Sequence, residues 1–153
     1  MTKDNISFTM RPIGYIRCPG MKTVRKRHTK AKRPVLKAEA IIDPTLTDAL
    51  DEIETFDRVW LIWVFDKNIK AGYKTRVNPP VDPDNQHGLF VTRSPFRPNP
   101  IGLTCVKVIK HTENILYFEN HDIIDGTPLL DIKPYIPGSD SYPGSRAGWL
   151  DTL

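Results

Sequence analysis

Pro95, Pro98 and Pro100 fall within six consecutive residues of the stretch Thr92-Arg93-Ser94-Pro95-Phe96-Arg97-Pro98-Asn99-Pro100-Ile101-Gly102-Leu103. Each proline fixes φ, removes a backbone donor and pushes the residue before it toward an extended conformation. No helix can run through such a segment, so it is a stiff, preset loop. Phe90 and Val91 lead into it, and Leu103 to Lys110 leave it as an apolar, β-prone run. A rigid loop between strands suits a binding site, because the scaffold fixes its geometry. Arg93 and Arg97 place two guanidinium groups on it, and Gly102 allows a ligand to approach the backbone closely.

The chain around this loop reads mainly as strands. Val35 to Ile42 alternates apolar and polar residues, the pattern of a half-buried strand. Val59 to Phe65 is nearly all apolar and reads as a central strand covered on both faces, with Trp60 and Trp63 in the core. Further strands are expected over Phe8 to Arg17, Gly88 to Arg93, Gly102 to Lys110, Asn114 to Asn120 and Pro128 to Ile132. Leu46, Ala49, Leu50 and Ile53 recur at helical spacing, with Asp43 or Thr45 as a cap, which predicts one short α-helix over about residues 45–55. Residues 68–86 form a long excursion, which in a compact domain is usually functional or mobile. The stretch 137–153 reads as an irregular tail. Many short strands and one helix make the fold all-β or β-dominated, a small β-barrel formed by residues 1–153 as a single domain.

Charge is unevenly placed. Between Asp4 and Glu39 there are ten Lys or Arg and no acid, so the other residues carry more acids than bases. The basic loop, about residues 22–34, has few large apolar side chains and is expected to order only on a ligand or partner chain. Localised positive charge is the usual footprint of polyanion binding. Cys18 and Cys105 have no paired spacing, which fits a reducing compartment such as the cytoplasm. No apolar run approaches the ~20 residues of a membrane span. The histidines and cysteines lack metal-ligand spacing, so no metal centre is expected. There is no Gly-x-Gly-x-x-Gly after a strand and no Gly-x-Ser-x-Gly elbow, which sets aside a dinucleotide fold and a serine hydrolase. Asp131, Lys133 and Tyr135 share one face of a strand. Spacing alone leaves two readings of them: a surface ladder with an Asp131–Lys133 pair, or part of a site.

Arg-Ser-Pro-Phe-Arg-Pro-Asn-Pro-Ile-Gly-Leu (93–103) closely resembles the signature of the TsaA-like family, the tRNA N6-threonylcarbamoyladenosine methyltransferases. The stretch from Asp122 to Tyr135, the opening Arg11 to Ile16 and the run Phe56 to Phe65 are similar to the family as well. The resemblance implies a β-barrel that pairs into a homodimer, with the cofactor site near the subunit contact. It implies S-adenosyl-L-methionine as methyl donor and, as acceptor, a modified adenosine beside the anticodon of a threonine tRNA. Carried over by position, Asp66, Lys67, Arg93, Leu103, Ile123, Ile124, Asp125 and Gly126 would line the cofactor site. Arg27 and His28 of the basic loop would reach it. Asp131, Lys133 or Tyr135 would assist removal of the N6 proton. The chain departs from the family at Asp57-Arg58, where Ser-His is common, and at Asp66, where histidine is common. Two other readings stand beside this one: the same barrel methylating a different RNA or a small molecule, and a non-catalytic nucleic-acid-binding barrel.

Overall fold

A strand with one apolar face must bury it, and here six antiparallel strands do so by closing on themselves. In a computed structural model, which describes residues 6–22 and 35–153, the strands are β1 (Gly14–Arg17), β2 (Lys37–Ile42), β3 (Arg58–Val64), β4 (Arg76–Val77), β5 (His87–Gly88), β6 (Ile101–Thr112), β7 (Ile115–Glu119) and β8 (Pro128–Pro134). The barrel runs in the order β1-β2-β7-β6-β3-β8 and closes where β8 returns to β1, through Gly14↔Leu129 and Tyr15↔Pro128. Closure removes the exposed sheet edges that would otherwise recruit other strands. β4 and β5 form a separate two-stranded arm.

Period-two patterning decides which side chains enter. Val59, Leu61 and Trp63 of β3 point inward and meet Ile16, Ala40, Val106, Leu116, Phe118 and Leu129 from the other strands. The outer residues of β3 are half-covered rather than buried, so the strand is central but not equally dry on both faces. At the β3–β6 pairing, Trp63 stands opposite Gly102. A Cβ at Gly102 would lie 2.3 Å from an indole carbon. That glycine therefore makes room for a tryptophan of its own barrel.

Three expectations are corrected. The segment 45–55 is not an α-helix but two 3-10 pieces, Pro44–Leu50 and Ile53–Thr55. Asp51 is extended and Glu52 left-handed, with φ of 63°, so the ladder is cut between them. Local bonds favour the tight turns: Asp43 Oδ1 accepts from the Thr45 amide and hydroxyl, and Thr47 and Thr55 donate to carbonyls three residues back. Only Leu50 is fully buried there, too little to hold a longer helix against the barrel. The strand expected over Gly88 to Arg93 stops at Gly88, and Leu89–Val91 is a 3-10 turn. The first strand begins at Gly14, not Phe8. The tail contains a one-turn helix, α1 (Pro137–Asp140), and a 3-10 turn, Gly148–Thr152.

Gly102→Ala is expected to destabilise the barrel by about 1–3 kcal/mol, the usual cost of overpacking a filled core. Chemical denaturation checks this, and an unchanged midpoint would mean that the Trp63 ring can move aside.

Candidate functional site

A cleft of about 1310 Å³ opens at one end of the barrel. Its floor comes from the end of β3 with Phe65 to Asn68, the start of β6, and the 122–127 turn. The β4–β5 arm, the proline loop and residues 146–150 of the tail form its rim. Small-molecule sites usually span ~300–1,000 Å³, so there is room for more than one ligand group.

A hydrogen-bonded chain holds the floor. Trp63 Nε1 donates to Thr104 Oγ1 at 3.1 Å, and Thr104 Oγ1 donates to Asp122 Oδ1 at 2.9 Å. Thr104 is fully buried, so its hydroxyl needs both partners. Phe65 meets the Trp63 ring edge-on at 4.4 Å. The strand pairing, the indole and the turn are thereby joined as one rigid unit.

The two arginines of the proline loop have different tasks. Arg97 donates to the carbonyls of Thr92 at 3.0 Å and Ser94 at 3.5 Å, and it lies over the Phe90 ring. Prolines cannot supply backbone donors, and this guanidinium serves those carbonyls instead. Arg93 is exposed and makes no hydrogen bond or ion pair with any described residue, while lining the cleft. A free guanidinium on a stiff loop is suited to a carboxylate or phosphate.

Asp66, Lys67, Arg93, Leu103 and Ile124 are brought together as lining of this cleft. Ile123 lies behind it, fully buried in the core. Asp125 and Gly126 are exposed and do not line it. Their amides donate to Met21 O and Ile16 O, and Asp125 Oδ1 accepts from the Cys18 amide at 2.7 Å. Gly126 has φ of 79°, which the Asp-Gly turn requires. The turn thus ties the root of the basic segment to the floor of the cleft. Burial, followed by the nearby Asp125 charge, pushes the Cys18 thiol up to about 11, which disfavours the thiolate. Arg27 and His28 lie outside the described residues.

Asp131, Lys133 and Tyr135 are not among the lining residues. Asp131 and Lys133 form an ion pair at 2.8 Å, both well exposed, and Tyr135 meets Trp60 edge-to-face. Within one chain they form the surface ladder: past the bulge opposite Ile62/Trp63, Asp131 and Lys133 pair with Ile62 and Trp60 on the outer face of β3.

Sequence reasoning missed the tail. The Trp149 ring stacks on His87 with centroids 3.9 Å apart, and Trp149 Nε1 donates to Val91 O at 2.9 Å. His87 Nε2 lies 2.8 Å from Asp82 Oδ2. The available signal was a tryptophan in a segment rich in Gly, Pro and Ser. Among the described residues no group of three or more His, Cys, Asp or Glu is placed to hold a metal. Among them, too, no helix is long and apolar enough to cross a membrane.

A closed antiparallel barrel with a ligand-sized cleft at one end, walled by a proline-stiffened arginine loop and an Asp-Gly-Thr-Pro turn, defines a class of binding or transfer barrel outside the dinucleotide folds. Residues 25–141 match the model of the tRNA-methyltransferase O N-terminal domain, and the chain belongs to that family. It is 39% identical over 143 residues to a probable S-adenosyl-L-methionine-binding protein of Pyrococcus abyssi, covering 92% of this chain and 75% of that one. It is 35% identical to the tRNA (adenine(37)-N6)-methyltransferase of Escherichia coli, covering 95% of this chain and 65% of that enzyme. A crystal structure of TrmO from Pseudomonas aeruginosa superposes with a TM-score of 0.75 at 29% identity, over 94% of this chain and 62% of that one. The chain therefore spans somewhat under two thirds of the bacterial relatives and 31% of the mouse enzyme.

Arg97→Ala is expected to destabilise the domain by about 1.5–3 kcal/mol, as hydrogen bonds from a charged donor are lost. Arg93→Ala should stay within about 0.5 kcal/mol of the parent. Equal effects in denaturation would contradict the division of labour.

Acid should loosen the tail. Hydrogen bonds from His87 and then Asn85 hold the Asp82 carboxyl below its ordinary range. The Ile136 amide and then the Trp60 indole do the same for Asp140. Both contributions are present above the unfolded value of about 3.9 and are lost as pH falls through the lower folded values. Hydrogen exchange over residues 137–152 should show protection falling below about pH 4; constant protection there would refute the coupling.

Proposed function

We propose that this chain binds S-adenosylmethionine in the cleft and directs its methyl group to N6 of a threonylcarbamoyl-modified adenosine beside a tRNA anticodon. The observation that carries the reading is that residues of both family stretches, Arg93 and Leu103 from one and Ile124 from the other, meet on one cleft. Their chemistry fits the ligand. Leu103 and Ile124 offer an apolar wall for an adenine, and the exposed Arg93 guanidinium offers a bidentate partner for the amino-acid carboxylate. S-adenosylmethionine supplies a methyl group already activated on a sulfonium.

What remains for the protein is positioning and a proton. A rigid floor and a stiff loop hold donor and acceptor in line, which can supply much of the rate. The acceptor N6 carries a proton that must leave as the new C–N bond forms. Among the described residues of a single chain, the carboxylates that line the cleft are Asp66 and Asp122. Asp131, Lys133 and Tyr135 take part only if a second copy presents its β8 face to the cleft. We attach a homodimer to this reading for that reason, and because Phe90 and Val91 at the rim expose large apolar surface. A threonine tRNA as the preferred acceptor and a cytoplasmic setting belong to the same proposal. So do cofactor contacts from Arg27 and His28, and tRNA phosphate contacts from the basic loop.

Incubating the protein with methyl-labelled cofactor and tRNA carrying the modified adenosine should give labelled tRNA. Cofactor binding without transfer would point to another RNA or a small-molecule acceptor, and RNA binding without cofactor affinity would point to a non-catalytic barrel. Arg93→Ala should weaken cofactor binding at least about tenfold by calorimetry, the loss of one charge-assisted pair. Unchanged affinity would remove Arg93 from the site.

A further inference from the structure

The tail after β8 is fastened at two places. Near its start, Asp140 Oδ2 accepts from Trp60 Nε1 at 3.0 Å and from the Ile136 amide at 2.9 Å, which pins α1 to the outside of the barrel. Near its end, Trp149 is stacked on His87 and hydrogen-bonded to Val91 O. His87 is itself braced by Asp82, whose other oxygen accepts from Asn85 Nδ2 at 2.8 Å. Asp151 Oδ2 accepts from the Ala147 amide at 2.7 Å and sets the last turn. Just before the second fastening, Arg146, Ala147 and Gly148 line the cleft.

Arg146 makes no hydrogen bond or ion pair with any described residue. An unpartnered guanidinium on an exposed loop is ordinary. Here, however, a stacked and hydrogen-bonded tryptophan three residues away holds it at the rim of a cleft larger than one nucleotide needs. Arg93 already answers the single carboxylate of the methyl donor. The other anions that reach this mouth belong to the acceptor: the amino-acid carboxylate on the modified base and the phosphates flanking it. A guanidinium binds either through paired N–H···O bonds.

We propose that Arg146 binds an anionic group of the acceptor, and that Trp149 is the positioning residue that holds it there. This rests on the acceptor reading given above. Arg146 touches the acceptor and spares the donor, while Trp149 acts through Arg146.

The test uses the full chain and two acceptors: tRNA carrying the modified adenosine, and the isolated threonylcarbamoyl nucleoside. Equilibrium binding to each is measured without turnover, alongside cofactor binding by calorimetry. Arg146→Ala should weaken tRNA binding at least about tenfold, the loss of one charge-assisted pair, while cofactor affinity stays within about twofold. The same loss with the nucleoside identifies the carboxylate, and loss confined to tRNA identifies a phosphate. Trp149→Ala should reproduce the Arg146→Ala effect and add nothing to it in the double variant. Trp149→Phe, which keeps the stack and loses the Val91 bond, should recover part of it. Unchanged acceptor binding in Arg146→Ala, or an equal fall in cofactor affinity, overturns the proposal. Because these are binding measurements, a parent protein that binds acceptor without transferring methyl sinks the enzymatic reading and leaves the role of Arg146 decided.

Discussion

The site depends on how one indole is seated. Trp63 lies across Gly102 of the neighbouring strand and donates through Thr104 to Asp122. This joins a strand, its partner and a distant turn into a floor that cannot shift in parts. A filled barrel interior transmits such constraints because it holds little free volume. The polar chain through Thr104 is fully satisfied, so it adds direction at little desolvation cost.

Stiffness above that floor comes from proline, and proline creates a deficit. A loop with few backbone donors leaves carbonyls unserved, and those of Thr92 and Ser94 are met by Arg97. That leaves Arg93 on a preset backbone without a hydrogen bond or ion pair among the described residues. The loop is thus stiff while its Arg93 side chain stays exposed at the cleft. The β4–β5 arm and the tail then narrow the mouth through contacts that are few and exposed, so they belong to the part of the molecule that opens most easily.

Much of the barrel was legible because period-two patterning is local: the alternation at residues 35–42 and the apolar run at 59–65 name their strands directly. The segment 45–55 misled because helical spacing of Leu46, Ala49 and Leu50 says nothing of the backbone break at Glu52. Of the candidate site, the residues carried by the two family stretches were legible as a set. Their separation into cleft lining, core and buttress was not, since adjacent residues such as Ile123 and Ile124 face opposite ways. The face shared by Asp131, Lys133 and Tyr135 was read correctly as a face, but its direction depends on a bulge in the pairing with β3. Trp149 could not be paired with Val91 in advance, because 58 residues separate them.

By itself, the order of residues determined a stiff arginine loop, a set of β-strands and a concentration of positive charge before residue 39. These follow from φ restriction, alternation and composition, all of which act within a few residues. Tertiary structure alone decided which arginine braces the proline loop, which carboxylates enter the cleft and that the tail returns to its mouth. Those outcomes depend on barrel closure, which sets distances between parts of the chain that local chemistry does not relate.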